Sequence, residues 1–238
     1  MRIAMWSGPR NISTAMMYSF AARGDCAVVD EPFYAAYLHQ TGIDHPMRDE
    51  IIASQPTNTQ DVIANLTAPV RDGVLHSYHK HMAQHMTPDV PRRWIHAFRN
   101  VFLIRHPARV IASYAAKREN PTLDDLGFRH QAEIYDQVHD DGAVVIDSSD
   151  IRRNPRAALS ALCHAIDLPF VDTMLKWPKG GHPADGVWAK HWYSAVWNST
   201  GFGAPEGPMP EVPAPLLPTL KEALPYYNKL RASSLCIG

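Results

Sequence analysis

Short apolar runs, each about five residues long, recur through the first two-thirds of the chain. They are rich in Val, Ile, Leu and Met, and most of them end at a polar or turn-forming residue. Their apolarity is continuous rather than alternating, which is typical of strands that are buried on both faces of a sheet. The pattern therefore predicts buried strands over residues 2–6, 26–30, 73–78, 100–104 and 143–147.

Between these runs, apolar residues recur with the spacing of an α-helix. The predicted helices cover residues 12–23, 59–66, 108–118, 123–139 and 155–166. A strand followed by a helix, repeated along a chain, is typical of a parallel sheet with helices on both faces. A mostly helical protein would leave the strand-like runs unexplained, so the pattern predicts a three-layer α/β fold with an open parallel sheet.

The last third of the chain has a different character. Four of the six tryptophans lie within residues 177–197, and six prolines lie within residues 203–218. So many prolines exclude a central strand or a helix interior, and they indicate an extended surface connection. We therefore predict one domain over residues 1–238, with a Trp- and Pro-rich excursion at about 176–218 and a final helix at about 216–232.

Composition narrows the classes of protein that fit this pattern. The 23 basic and 24 acidic side chains give a formal net charge of −1, whereas a nucleic-acid-coating protein usually carries a basic excess. Three well-separated cysteines without a CxxC pair favour the reducing cytoplasm over a disulfide framework. The apolar stretch before Ser7 is too short for a signal peptide or a membrane span. We therefore expect a cytoplasmic protein with neither a nucleic-acid nor a membrane partner.

A Gly/Pro loop joins the first strand directly to the first helix. The free N–H groups and the positive dipole of a helix start favour an anion. Arg10 adds a full positive charge there. The chain has Ser13, Thr14 and Ala15 where an ATP-binding loop has Gly, Lys and Ser or Thr, so this is not that motif. The sequence predicts an anion site built by Gly8, Pro9, Arg10, Asn11, Ile12, Ser13 and Thr14.

A second candidate anion site follows the fourth predicted strand. Arg105 comes at the carboxyl end of that strand, and Ser113 lies eight residues later in the next helix. Ligands of open parallel sheets bind at the carboxyl ends of the strands, so Arg105 is expected to share a cleft with the first loop. Arg118 and Glu119, at the end of the same helix, would form a local ion pair or reach the cleft.

These two motifs resemble those of the sulfotransferase superfamily, which transfers a sulfuryl group from 3′-phosphoadenosine 5′-phosphosulfate (PAPS). The superfamily has a 5′-phosphosulfate loop of the form P-[KR]-S-G-[ST]-[ST], matched in part by residues 9–14. It also has a 3′-phosphate motif in which a strand-ending arginine precedes a serine by eight positions, as Arg105 precedes Ser113. Bacterial members also carry segments like SGPRN-STA, DEPFY, RHPxxVIASY, PTLxDLGF and a WY-to-STGF tail, which here span nearly the whole chain.

The resemblance implies a P-loop NTPase-like fold, PAPS as the donor, 3′-phosphoadenosine 5′-phosphate (PAP) as the product, and no required metal. It also implies that the first loop, with Arg10, stabilises the departing 5′-phosphate while Arg105 and Ser113 hold the 3′-phosphate. A C-terminal loop closes over the nucleotide in such proteins, so Ser199, Thr200 and Gly201 are implied contributors. Trp192 and Tyr193, just before them, are expected to pack in the core.

The catalytic base has two candidate locations. Glu31 follows the second strand, and some members of the superfamily use a glutamate in this region. The rival is the segment HSYHKHM, where Lys80 with His79 or His81 is expected to follow the third strand, as a Lys-x-His pair does in hormone-type sulfotransferases. Glu31 would otherwise cap the helix that begins near Phe33, with Asp30 in solvent.

The histidines of residues 76–85 raise the question of a metal. His81 and His85 are four residues apart, which suits a metal pair on a helix, but no HExxH arrangement accompanies them, so no metal site is predicted. The acceptor is expected to be a small molecule with a hydroxyl or amine, and the sequence leaves a homo-oligomer open. A nucleotide-dependent phosphotransferase and a non-catalytic nucleotide-binding protein remain the alternative functions.

Overall fold

A computed structural model describes residues 1–69, 73–115 and 121–237. Its sheet contains five parallel strands in the order β2-β3-β1-β4-β5. The strands are β1 (Arg2–Ser7), β2 (Cys26–Asp30), β3 (His76–Met82), β4 (Arg99–Ile104) and β5 (Val144–Asp147). Four of them lie where the apolar runs predict, to within a residue at either end.

The third strand corrects the prediction. It was expected at residues 73–78, whereas β3 spans His76–Met82, so His79, Lys80 and His81 lie inside the strand and do not follow it. Polar partners of two side chains offset part of the cost of burying this polar segment. His79 Nε2 lies 3.0 Å from Ser77 Oγ, and Lys80 pairs with two carboxylates described below.

Apolar side chains cover both faces of the sheet, as the continuous runs predict. Ile3 and Met5 of β1 belong to one core, while Ala4 and Trp6 belong to the core on the opposite face. The helices therefore lie in layers on either side of the sheet, which confirms the three-layer arrangement. The α-helices of the described ranges are α1 (Ser13–Ala21), α2 (Tyr34–Thr41), α3 (Arg48–Ser54), α4 (Thr59–Thr67), α5 (Pro107–Ala115), α6 (Leu123–Leu126), α7 (Phe128–Val138), α8 (Ser148–Arg153), α9 (Pro155–Ala165), α10 (Ala189–Trp192), α11 (Ser194–Trp197) and α12 (Leu217–Ala232). Short 3-10 helices cover Ala83–His85, Arg93–Ala97, His139–Asp141, Asp172–Leu175 and Ala214–Leu216.

The helix predicted over 123–139 is broken in two at Gly127. Its φ of 72° is left-handed, a conformation that glycine adopts without a steric penalty. The break brings the chain against the first loop, since a Cβ added to Gly8 would lie 2.4 Å from the Leu126 carbonyl oxygen. The helix predicted over 108–118 is described as far as Ala115, and Arg118 and Glu119 lie outside the described residues.

The C-terminal segment passes the carboxyl ends of the strands, where some of its residues line the cavity described below, and ends in a helix that packs on α5 and α7. Short helices α10 and α11 precede an extended, mostly exposed stretch that contains the prolines. The final helix α12 begins one residue after the prediction and packs against α5 and α7. Within the part of the chain that is described, no helix has the length and apolarity needed to span a membrane.

Candidate active site

A cavity of about 470 Å³ opens at the carboxyl ends of the strands. After β1 the chain turns toward β2 on one side, and after β4 it turns toward β5 on the other. Such a reversal between neighbouring strands leaves a crevice where ligands of open α/β sheets bind. The lining residues follow or belong to several strands and include Arg10, Glu31, Lys80, Arg105, Arg152 and Gly201.

The loop after β1 is bent by two residues in the left-handed conformation, Arg10 (φ 57°) and Ile12 (φ 46°). Ile12 stands where the sulfotransferase motif has glycine, which explains why the motif favours glycine there. Asn11 Nδ2 donates to the Leu103 carbonyl oxygen (2.5 Å) and so fixes the loop to β4. The N-cap residue of α1, Ile12, makes no side-chain capping hydrogen bond, and Ser13 and Thr14 of the first turn line the cavity.

The two predicted anion motifs are in direct contact. Arg10 Nε donates to Ser113 Oγ (2.9 Å), and Arg105 Nη1 donates to the Arg10 carbonyl oxygen (2.6 Å). Burial and the neighbouring Arg105 guanidinium lower the pKa of Arg10 from its ordinary value. Two arginines held this close repel one another, and an anion bound between them relieves that repulsion.

Arg105 also belongs to a cluster of three arginines around one carboxylate. Glu206 accepts a hydrogen bond from Arg105 Nε (2.8 Å), and it forms ion pairs with Arg109 Nε (2.9 Å) and Arg152 Nη1 (3.5 Å). The Glu206 side chain is only 4% exposed. Sequence reasoning did not identify Arg109, Arg152 or Glu206 as site residues. Arg109 follows Arg105 by four residues, in the first turn of α5, which is the local signal that could have pointed to it.

A second cluster of charges lies at the β2 and β3 end of the cavity. Lys80 Nζ lies 2.9 Å from Asp30 Oδ1 and 2.7 Å from Glu31 Oε1, and it also contacts the Tyr193 hydroxyl. Burial alone would lower the pKa of Lys80, but Asp30 and Glu31 together raise it above its ordinary value. Burial raises the pKa of Asp30 against the opposing effect of Lys80. The alternative that Asp30 lies in solvent while the Glu31 side chain caps α2 is wrong, because Asp30 is buried and the Glu31 carboxylate pairs with Lys80.

The histidines of β3 lie away from this chemistry. His79 does not line the cavity. Its ring packs edge-on against Phe98, in the core that contains Ala4 and Trp6 of β1. Burial lowers the pKa of His79 to about 4. His81 stacks on Trp6 at 4.4 Å between ring centroids. The idea of His81 and His85 on one helix is wrong, since they lie in β3 and in a 3-10 helix. Among residues 1–69, 73–115 and 121–237, no three metal-binding side chains are grouped.

The tail reaches the cavity through some of its predicted residues. Ser199 and Gly201 line it, whereas Thr200 does not, and the Thr200 carbonyl oxygen accepts from Trp177 N at 3.3 Å. Gly8, another residue of the predicted anion site, also does not line the cavity; it packs against the backbone at Leu126.

An aromatic wall closes the acid-rich end of the cavity. Tyr193 packs in a buried cluster, as expected, but its hydroxyl also accepts from Trp188 Nε1 (3.0 Å) and contacts Asp30. Tyr34, Tyr37 and Trp192 line the cavity beside it. Sequence reasoning missed this wall because aromatic spacing alone does not distinguish a core from a binding surface.

A family model described as a sulfotransferase domain matches residues 1–234. Two curated proteins of Arabidopsis thaliana, branched-chain-amino-acid aminotransferase-like protein 1 and protein 2, are 36% and 34% identical to the chain over 232 residues. These matches cover 97% and 96% of this chain but 41% of each relative. The chain therefore spans less than half the length of those proteins, and their names describe the longer molecules.

Two solved structures share the fold. The sulfotransferase domain from the curacin biosynthetic pathway matches with a TM-score of 0.50 and 16% identity, over 99% of this chain and 93% of that domain. The sulfotransferase domain from the Synechococcus PCC 7002 olefin synthase matches with the same score and identity, over 99% and 96%. These likenesses agree with the predicted P-loop NTPase-like fold. Since the family model covers nearly every residue and the fold agrees with it, the chain belongs to the sulfotransferase domain family.

Proposed function

We propose that this protein transfers a sulfuryl group from PAPS to a hydroxyl or amine of a small acceptor. The observation that carries the proposal is the contact between the two anion motifs, Arg10 with Ser113 and Arg105 with Arg10. Together they present separate positive groups along one cavity, which suits a nucleotide with phosphates at both its 5′ and 3′ positions. An ATP-type donor has no phosphate for the second of these sites.

The reaction requires charge stabilisation at the donor end. The acceptor oxygen or nitrogen forms a bond to sulfur, and the bond from sulfur to the 5′-phosphate oxygen breaks, leaving the electron pair on PAP. Arg10, the first-turn N–H groups of α1 and the hydroxyls of Ser13 and Thr14 stabilise the charge that develops on that phosphate. Arg105 and Ser113 hold the 3′-phosphate, so that the reacting group stays in line with the acceptor.

Glu31 is the base in this proposal, and it takes the proton that the acceptor loses. Its carboxylate lines the cavity and is oriented by Lys80, which lies 2.7 Å away. His79 and His81 lie outside the cavity lining, which favours Glu31 over them as the base. Lys80 acts as a positioning residue, because its ammonium group is already bonded to Asp30, Glu31 and Tyr193.

The aromatic wall beside Glu31 indicates what kind of acceptor this end of the cavity would bind. Tyr34, Tyr37, Trp192 and Tyr193 offer flat apolar surfaces next to the proposed base. Aromatic walls with a few polar groups are typical of sites that bind small molecules with an apolar body. We therefore place the acceptor at the β2 and β3 end of the cavity, and the donor at the β1 and β4 end.

Calorimetric titration with PAP, ADP, and ATP with magnesium tests the donor. We expect PAP to bind most tightly, and Arg105→Ala to weaken PAP by about tenfold to a hundredfold, since a charged hydrogen-bonding group is lost. Arg99→Ala is the matched control, because Arg99 begins the same strand and pairs at the surface with Asp167.

Two outcomes of that experiment contradict the proposal. A preference for ATP with magnesium would favour the phosphotransferase alternative. PAP binding without sulfuryl transfer to any member of a panel of phenols, alcohols and amines would favour a non-catalytic nucleotide-binding protein.

A further inference from the structure

Glu206 is a buried carboxylate in the middle of the site that the proposed function assigns to the 3′-phosphate. We propose that Glu206 is an internal competitor for that phosphate: its carboxylate occupies the arginine cluster, and the donor displaces it. This inference rests on the proposed function and adds a residue that sets the affinity and selectivity for a 3′-phosphorylated donor.

The hydrogen bonds of Arg105 carry the inference. Arg105 Nε donates to Glu206 Oε1 (2.8 Å), and Arg105 Nη2 lies 2.6 Å from the same oxygen in an ion pair. The remaining nitrogen, Nη1, donates to the Arg10 carbonyl oxygen. The Nε and Nη2 side of a guanidinium is one of the faces with which arginine grips phosphate. Glu206 therefore holds a face of Arg105 that a 3′-phosphate would use.

The other two arginines of the cluster, Arg109 and Arg152, also donate to the short segment that contains Glu206. Residues 203–207, which we call the strap, contribute two carbonyl oxygens as well as the Glu206 carboxylate. The Ala204 carbonyl oxygen accepts from Arg152 Nε (2.9 Å), and the Gly207 carbonyl oxygen accepts from Arg109 Nη2 (2.5 Å). The strap thus supplies acceptors to all three arginines at once, as a bound phosphate would.

The charges make the exchange favourable. Three arginines and one carboxylate leave the cluster with an excess of two positive charges. A phosphate monoester carries close to two negative charges at neutral pH and offers three acceptor oxygens, against one charge and two oxygens for Glu206. The phosphate therefore neutralises the arginines more completely than the carboxylate does, and it can displace the strap.

The strap is also placed to move. Arg105, Arg152 and Gly203 line the cavity, so the cluster is open to a ligand on one side. Gly203 has a φ of 73°, and the residues that follow the strap as far as Pro213 belong to no helix or strand. Glycine can change its backbone angles with little steric cost, so the segment can swing out without disturbing α12.

Titration of the full chain with PAP and with adenosine 5′-phosphosulfate, which lacks the 3′-phosphate, tests the exchange. We expect Glu206→Gln to bind PAP about tenfold more tightly than the unmodified protein, because the charge that competes is gone. Its affinity for adenosine 5′-phosphosulfate should change little. Glu211→Gln, at an exposed position in the same proline-rich stretch, is the control and should alter neither affinity.

A digest of the unmodified protein by a glutamate-specific protease gives a second test that needs no variant. We expect PAP to speed cleavage after Glu206 relative to cleavage after Glu211, and adenosine 5′-phosphosulfate to leave the ratio unchanged. Weaker or equal PAP binding by Glu206→Gln, or a cleavage ratio that PAP leaves unchanged or lowers, overturns the inference. If neither the unmodified protein nor Glu206→Gln binds PAP, the proposed function itself fails.

Discussion

Glu31 is held at the cavity through both its backbone and its side chain. Its φ of 39° lies in the left-handed region, which residues other than glycine adopt rarely and at a cost in free energy. The Glu31 N–H donates to the Lys80 carbonyl oxygen (3.0 Å), and the Glu31 carboxylate pairs with the Lys80 ammonium group. Two attachments to one residue of β3 fix the carboxylate in place, which suits a group that must accept a proton at one point.

Replacement of Glu31 by glutamine tests this role. Glutamine keeps the size of the side chain but cannot accept the proton, so we expect turnover with a confirmed acceptor to fall by about a hundredfold or more. PAP affinity, measured by calorimetry, should change by less than about threefold, because Glu31 follows β2, whereas Arg10 and Arg105 follow β1 and β4.

The control for this change is Glu50→Gln. Glu50 forms a surface ion pair with Lys190, so its loss should leave turnover unchanged. Full turnover in Glu31→Gln would show that another group accepts the proton.

Residues of the site differ in how far the sequence could predict them. Arg10 and Arg105 are marked by their positions after strands, which is a local signal. Glu206 has no such mark, because its partner Arg105 is 101 residues away. A long-range ion pair leaves no periodicity in the sequence and becomes visible only when the fold brings the two segments together.

Strand β3 is the element that the hydrophobic pattern places wrongly. Its residues His79, Lys80 and His81 are polar in type, so a pattern of apolar residues moves the predicted strand toward the preceding residues. Tertiary contacts override that signal, since all three side chains are buried against partners in the fold. The other strands were predictable because their side chains face apolar layers on both sides.

The buried ion pairs of β3 should carry much of the local stability. Lys80→Met keeps the apolar stem but leaves Asp30 and Glu31 without their counter-charge, so we expect the free energy of unfolding to fall by about 3–5 kcal/mol. The urea midpoint measures this loss, and adding Asp30→Asn to the variant should recover part of it.

Lys190→Met removes a lysine from a surface ion pair and serves as the matched control. We expect it to change the free energy of unfolding by at most about 1 kcal/mol. An equal, small effect of both substitutions would mean that the β3 cluster relaxes into water when Lys80 is lost.

At the scale of the whole molecule, the histidines tie stability to pH. Burial is the main cause that lowers the pKa of several of them: His76, His79, His81, His85, His106 and His130. The unfolded chain therefore binds more protons than the folded protein at mildly acidic pH. Their neutral forms support the fold above pH 6.5, and that support is lost as the pH falls toward about 4, the value to which burial lowers the pKa of His79.

Chemical unfolding between pH 7.5 and 4.5 measures how stability depends on pH. The range covers the pH values over which the lowered pKa values of these histidines matter. We expect the free energy of unfolding to fall with acidity, with each such histidine adding a slope of up to about 1.4 kcal/mol per pH unit. His79→Gln should reduce the slope, whereas the same change at the exposed His164 should not. A flat profile would mean that the folded protein takes up protons at these histidines as readily as the unfolded chain does.

Because residues of the tail line the cavity, the cavity is completed late in the synthesis of the chain. Tyr193 reaches back 163 residues to Asp30, and Asp185 accepts from Tyr18 across 167 residues. At roughly 5–20 residues per second, a ribosome needs about ten to thirty seconds to make the chain between such partners. Throughout that interval the nascent protein has the loop after β1 and the β2 carboxylates but lacks Trp192 and Tyr193 of the wall and the whole strap. The growing chain therefore holds an incomplete cavity, which is completed only when the tail docks.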